Sequence, residues 1–223
     1  MFFHPLVLVM MMILVVSVVV LFVVVQIGVI SYAFDKIGIP SEALFSLLLL
    51  SWVGSWVNIP LARLPAEGSV TEGDVVRVFG QRYVIPQWSQ PRQMVLAVNV
   101  GGALVPTFLS LYLLTRALAP LRVVMATAAV TFLTYRWARP VAGIGIVVPM
   151  LLPPLSAALA ALLLVPQQAP LAAYVAGTMG TLIGGDLLHV RQVRRLATPV
   201  ASIGGAGTFD GVFLTGIIAV LLA

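Results

Sequence analysis

The sequence contains no cysteine and very little charge. Its 223 residues include 12 basic and seven acidic side chains, so 9% of the chain is charged, against about 25% in a typical soluble domain. The absence of cysteine excludes disulfide scaffolds, thiol nucleophiles and thiolate-ligated metal centres. The shortage of charge and the 61% hydrophobic content exclude most soluble folds and leave a polytopic membrane protein.

The chain is basic overall, with a net charge of +5. A basic balance can indicate nucleic-acid binding, but basic cytoplasmic loops give membrane proteins the same bias. We therefore expect a lipid bilayer as the main partner and no nucleic acid.

Apolar runs divide the chain into about seven predicted spans, since a bilayer core requires about 20 apolar residues per helix. The first run, Leu6 to Phe34, is too long for a signal-peptide core and is expected to be retained. If the short fourth segment is re-entrant, the count is six. The sequence thus predicts an all-α transmembrane bundle that forms a single membrane domain over residues 1–223. The predicted boundaries are 6–34, 43–61, 94–115, 121–135, 141–165, 169–188 and 200–223.

Basic residues orient the predicted bundle. Lys36, Arg116 and Arg122 fall on one side and nine arginines on the other. The more basic side is expected to be cytoplasmic, which places the N-terminus inside. The nine are Arg63, Arg77, Arg82, Arg92, Arg136, Arg139, Arg191, Arg194 and Arg195.

The loop of residues 65–93, between the second and third predicted spans, is the largest soluble segment. From Asp74 to Ile85 its residues alternate and are rich in β-branched side chains on either side of Phe79-Gly80. This pattern predicts a short cytoplasmic β-hairpin. Because an isolated hairpin is marginal in water, we expect it to rest on the membrane or on the bundle.

Two acidic residues, Asp186 and Asp210, lie inside predicted spans, whereas the other five lie in loops or at span ends. A carboxylate within a span costs at least about 2.5–3.5 kcal/mol on insertion scales, so its presence requires a reason. Glycines flank both residues with the spacing that allows helices to approach closely. We therefore expect the two carboxylates to lie near each other.

Two carboxylates in a site of low dielectric share a proton. Such a pair activates water in aspartic proteases. Glycines beside the acids leave room for an extended substrate backbone. The residues expected to bind substrate or shape the site are Gly184, Gly185, Gly205, Gly207, Pro149, Pro153, Asn58 and Asn99.

The segment Gly205-Ala-Gly-Thr-Phe-Asp-Gly-Val-Phe213 resembles the GxGD region of presenilin-type and prepilin-peptidase-type intramembrane aspartyl proteases. In this chain Thr208 and Phe209 separate the Gly-x-Gly from Asp210. The resemblance implies a catalytic pair of Asp186 and Asp210, a membrane-protein or peptide substrate, and no cofactor or metal. Pro149-Met-Leu-Leu-Pro153 also resembles the Pro-Ala-Leu segment of presenilins, although it precedes both aspartates here.

Most of the chain resembles a prokaryotic polytopic membrane family of unknown function. The residues that carry this resemblance lie at 51–60, 98–102, 184–186 and 205–211. It implies a multi-pass protein of the prokaryotic inner membrane.

Two other functions remain open at this point. In a small ion- or proton-coupled transporter or channel, both aspartates, Asn58 and Asn99 would line the route, aided by broken helices. In a scaffold the same polar residues would only hold helices together. A metal site from Asp186, His189 and Asp210 is conceivable, but zinc prefers more nitrogen or sulfur ligands, so we expect no metal.

Overall fold

The computed structural model describes residues 5–65, 75–78, 81–84, 93–141, 145–193, 200–205 and 209–223. Within them the chain is mostly helical, with a small amount of strand. The main helices are α1 (Pro5–Lys36), α2 (Ser41–Gly54), α3 (Val105–Thr115), α4 (Pro120–Trp137), α5 (Leu152–Leu164), α6 (Ala169–Thr181), α7 (Val190–Val193) and α8 (Leu214–Leu222). The strands are β1 (Asn58–Pro65), β2 (Val75–Val78), β3 (Gln81–Val84), β4 (Gln93–Asn99), β5 (Arg139–Val141), β6 (Gly145–Val147) and β7 (Val200–Ile203).

Helix α6 forms the centre of the bundle, and α4, α5 and α8 pack around it. Its segment from Leu171 to Thr178 is buried on every side. Small side chains allow this close packing: a Cβ atom at Gly177 would lie 3.3–3.4 Å from side-chain atoms of Ala157, Thr215 and Ala219. Close contacts between small residues stabilise a helix pair by van der Waals packing.

Among the described residues, two helices are long and apolar enough to cross a membrane: Met12–Lys36, with a mean hydropathy of 3.2, and Pro166–Val193, with 1.3. Most of the second is buried in the bundle, whereas the first is exposed from Met12 to Val29. Helices α1 and α4 closely match the predicted first and fourth spans.

A three-stranded sheet lies at one end of the bundle, in the order β1-β4-β7. Strand β4 pairs antiparallel with β1, with Asn99 opposite Asn58, and parallel with β7, with Val98 opposite Ile203. The predicted boundaries of the second, third and seventh spans are therefore wrong, because residues 58–61, 94–99 and 200–203 are strand. The periodicity of a short apolar run does not distinguish a strand from a buried helix.

The predicted fifth span also begins too early. Strands β5 and β6 pair antiparallel, and the helix begins only at Leu152. Pro153 and Pro154 occupy its first turn, where proline is tolerated because those amides have no partner within the helix. The prolines thus start a helix instead of interrupting one.

Strands β2 and β3 pair antiparallel, from Val75 opposite Val84 to Val78 opposite Gln81, in the segment predicted as a hairpin. Residues 79 and 80 lie outside the described part of the chain.

The helix ends remote from the sheet are joined by polar contacts. The Lys36 ammonium donates to the carbonyl of Val220, 3.4 Å away, and the Gln168 carboxamide accepts from the amide of Leu118 at 2.6 Å. Lys36 and Arg116 therefore lie at one end of the bundle, and the sheet lies at the other.

Substitution Gly102→Ala tests the packing between the sheet end and the helices. A Cβ atom there would collide with the carbonyl of Gly204, so we expect a loss of about 1–3 kcal/mol or more. The measurement is the midpoint of thermal unfolding of the purified chain in detergent. Gly28→Ala is the control, since nothing lies within 4 Å of its Cβ position. A wild-type midpoint for Gly102→Ala would contradict the close approach.

Candidate functional site

Four segments that carry the whole-chain resemblance converge where the sheet meets the helices. They are the end of α2 with the start of β1, the end of β4 with its following glycines, the Gly-Gly-Asp after α6, and Gly205 just after β7. The chain brings together residues that are far apart in sequence, and a specific set of hydrogen bonds holds them.

Asn99 is buried and is the centre of a hydrogen-bond network. Its amide nitrogen donates to the carbonyl of Ser55 at 2.7 Å and to the side-chain oxygen of Asn58 at 3.1 Å. Its own side-chain oxygen accepts from the amide of Gly102 at 2.7 Å. The same Asn58 oxygen accepts from the hydroxyl of Ser202 at 2.5 Å. The network thus joins α2, β1, β4 and β7.

Glycines let the backbones approach closely at this point. A Cβ atom at Gly101 would overlap the end of α2 at Ser51 and Gly54, and one at Gly102 would overlap the carbonyl of Gly204. The Ser51 hydroxyl donates to the carbonyl of Gly101 at 2.8 Å. The short π-helical turn Val100–Leu104 that contains both glycines therefore packs against α2 and β7 together.

Asp186 ends a second π-helical turn, Leu182–Asp186, which follows α6. One of its carboxylate oxygens accepts a hydrogen bond from the amide of Gly204 at 2.7 Å. Gly204 has a φ of +68°, which favours glycine. The half-buried carboxylate is thus fixed by the segment that leads to Asp210.

A cavity of about 420 Å³ lies beside Asp186. Strands β6 and β7 and the start of α8 form much of its described wall, which is mainly apolar. The predicted site residues in its lining are Asp186, Gly185, Gly205, Pro149 and Pro153, and Gly211 lies there as well.

The remaining predicted site residues lie elsewhere. Gly184 packs against α4, where a Cβ atom would overlap the carbonyl of Thr131, so it serves helix packing and does not line the cavity. Asn58 and Asn99 belong to the hydrogen-bond network and reach the cavity only through Ser202.

Gly207 lies outside the described residues. The backbone of Asp210 belongs to a third π-helical turn, Phe209–Phe213, and its side chain is outside the described part of the structure. Its neighbour Gly211 contributes to the cavity wall, so the chain at Asp210 passes next to the cavity.

His189 is buried beside the break in α6. Its Nδ1 lies 3.0 Å from the carbonyl oxygen of Gly184, and its ring centroid lies 4.8 Å from that of Tyr135, with the two rings tilted by 39°. Among the described residues, no group of three or more His, Asp or Glu side chains is placed to hold a metal ion.

Three hydroxyl residues in the cavity wall, Ser202, Thr181 and Thr215, were not expected there from the sequence. These residues reach the cavity because they lie on strand β7 or beside a π-helical turn. The periodicity of the local sequence does not reveal either element. The available signal was weak: Ser202 precedes a glycine-rich run that resembles a loop as much as the end of a strand.

A family model described as "Protein of unknown function (DUF1614)" matches residues 52–222. The chain belongs to this family. The match begins within α2 and includes the cavity, Asp186 and the Asn99 network, whereas α1 lies before it. No curated protein and no solved structure matches the chain.

Substitution Asn99→Ala tests the network. It leaves the buried Gly102 amide without its partner, which costs about 1–3 kcal/mol, and it removes the hydrogen bond to the partly buried carbonyl of Ser55. We expect a lowered midpoint of thermal unfolding in detergent. Ser55→Ala is the control, because it removes only an exposed hydroxyl bond to the carbonyl of Trp52, worth about 0.5 kcal/mol or less. Equal midpoints for the two variants would contradict the network.

Proposed function

We propose that the chain is a membrane-embedded aspartyl peptide hydrolase in which Asp186 and Asp210 form the catalytic pair. One observation carries this proposal: the Asp186 carboxylate lines a cavity that Gly211, the residue after Asp210, also lines. The two acids come from different π-helical turns, and an aspartyl pair needs two carboxylates close enough to share a proton.

The hydrogen bond from Gly204 supports the pairing. It ties Asp186 to a backbone position six residues before Asp210. The carbonyl of Gly204 in turn contacts the backbone at Gly102, so the sheet restrains this segment. Preorganised groups of this kind lower the cost of reaching a reactive geometry.

The proposed reaction needs no cofactor. One carboxylate takes a proton from water while the water oxygen attacks the substrate carbonyl carbon, and the protonated partner gives its proton to the carbonyl oxygen. In the next step the carbon–nitrogen bond breaks, the carboxyl proton passes to the leaving amine nitrogen, and a hydroxyl proton of the tetrahedral intermediate returns to the other carboxylate. The products are a carboxylic acid and an amine, and the pair again shares one proton.

The cavity has the form that such a substrate needs. Its volume of about 420 Å³ falls within the range of small-ligand sites, about 300–1,000 Å³. Gly185 and Gly205 add no side chain to the wall, and Pro149 and Pro153 keep part of it free of amide donors. The apolar remainder suits side chains of a membrane-embedded or membrane-proximal peptide.

We further propose that the protein lies in the prokaryotic inner membrane with its N-terminus and the sheet end toward the cytoplasm. Exposed arginines such as Arg136 and Arg139 lie near the sheet end, and Lys36 and Arg116 lie at the other. The more basic end is usually cytoplasmic. The cavity is then accessible to water from the cytoplasmic side.

One observation favours a second function, a small ion- or proton-coupled transporter. In the described part of the chain, three π-helical turns adjoin helix ends near the sheet: Val100–Leu104 before α3, Leu182–Asp186 after α6 and Phe209–Phe213 before α8. Such turns are frequent at functional sites, and broken helices bind ions in transporters. Transport requires access from both faces and does not require the two carboxylates to touch.

Substitutions Asp186→Asn and Asp210→Asn test the hydrolase. Each removes one proton-transfer group, so cleavage of a panel of membrane peptides by the purified protein should fall at least about a hundredfold. The measurement is product formation by mass spectrometry in detergent or lipid vesicles.

The matched control is Asp35→Asn, which alters an exposed acid at the end of α1. It should retain wild-type cleavage. Cleavage that survives both Asp186→Asn and Asp210→Asn would contradict the proposal that these residues form the catalytic pair.

Cysteine labelling tests the orientation, since the chain has no cysteine of its own. In intact bacterial cells a membrane-impermeant maleimide should label Leu118→Cys, in the exposed turn between α3 and α4, and should label Arg139→Cys only after lysis. The reverse pattern would contradict the orientation. Labelling of both sites in intact cells would contradict a span between them.

A further inference from the structure

The described wall of the cavity offers hydrogen-bond acceptors. Asp186 contributes a carboxylate, and Ser202 and Thr215 contribute hydroxyl groups. A hydroxyl has a single hydrogen, and once this is donated its oxygen can only accept. Ser202 donates its hydrogen to Asn58 at 2.5 Å, and Thr215 donates to the carbonyl of Gly211 at 2.5 Å.

Two further oxygens in the cavity wall can each accept an additional hydrogen bond. The hydroxyl oxygen of Thr181 is buried, and within the described residues it has no hydrogen-bond partner. The amide of Gly204 engages one oxygen of Asp186 and leaves the other without a described partner. Thr181 and Asp186 are five residues apart at the π-helical turn and line the same cavity.

Positive charge is absent from the described lining, since no Lys, Arg or His contributes to it. The rest of that lining is apolar and includes Ile146, Val148, Val190, Ile203 and Val212. Even a half-buried carboxylate gains from a cationic partner, and apolar walls favour a ligand with a hydrocarbon body.

We propose that this cavity binds an organic ammonium ion, a primary amine carried on a short apolar body. An ammonium group has three donors and no acceptor, which complements a wall of acceptor oxygens. Its charge pairs with Asp186, while the hydrocarbon fills the apolar part of the cavity. An inorganic cation shares the charge but leaves the apolar walls unfilled. Ammonium binding in this cavity does not require that the protein hydrolyse peptides.

The experiment is calorimetric titration of the purified full chain in detergent with hexylammonium, and with 1-hexanol as the neutral ligand of similar size. The wild type should bind hexylammonium at least about tenfold more tightly than hexanol, because hydrogen bonds to a charged group are the stronger ones. Asp186→Asn should remove this preference. The control Asp35→Asn should keep the preference for hexylammonium. Partition of the ligand into detergent micelles is corrected by subtracting the signal measured with Asp186→Asn.

If Asp186→Asn does not fold, the variant Thr181→Val tests the same binding site. Thr181→Val keeps the shape of the side chain and the Gly204 bond to Asp186, and should weaken hexylammonium binding severalfold while hexanol binding is unchanged. Equal wild-type affinities for hexylammonium and hexanol would overturn the proposal. Competition by sodium chloride at the same concentration as hexylammonium would also overturn it in favour of an inorganic cation. Since no cleavage is measured, these outcomes are separate from failure of the hydrolase.

Discussion

The close approach of Gly102 and Gly204 is the constraint on which the candidate site depends. Neither position has room for a side chain, and the positive φ of Gly204 turns its amide toward the carboxylate of Asp186. One glycine thus connects the sheet, the break in α6 and the segment that leads to Asp210. In an apolar setting a backbone amide requires a partner, so the bond to Asp186 satisfies the amide and holds the acid.

The other polar interactions reinforce this junction. Asn99 uses both its side-chain nitrogen and its side-chain oxygen to join α2, β1 and the turn at Gly102. The hydroxyl of Ser202 extends the hydrogen-bond network to β7. A polar network rigidifies a site when its members are satisfied. Through Ser202 this network reaches the wall of an apolar cavity whose described lining contains one carboxylate, that of Asp186.

Part of this arrangement was predictable from the sequence. The scarcity of charge singled out Asp186, and the glycines and prolines around it identified Gly185, Gly205, Pro149 and Pro153, which line one cavity. The strands were not predictable, because the choice between strand and helix at Met94–Asn99 depends on partners near residues 58 and 200. Ser202 was missed for the same reason. Gly184 was assigned to the site by its neighbours, but its lack of a side chain serves packing against α4.

The central claim is that Asp186 and Asp210 face each other, and crosslinking measures this most directly in a chain without cysteine. The double variant Asp186→Cys with Asp210→Cys is treated with a short thiol-bridging reagent. Asn58→Cys with Ser202→Cys, whose native side chains are in contact, is the positive control, and Asp186→Cys with Asp35→Cys is the negative one. The account predicts an intramolecular crosslink in the first two pairs. A folded protein that crosslinks only the positive control would contradict it.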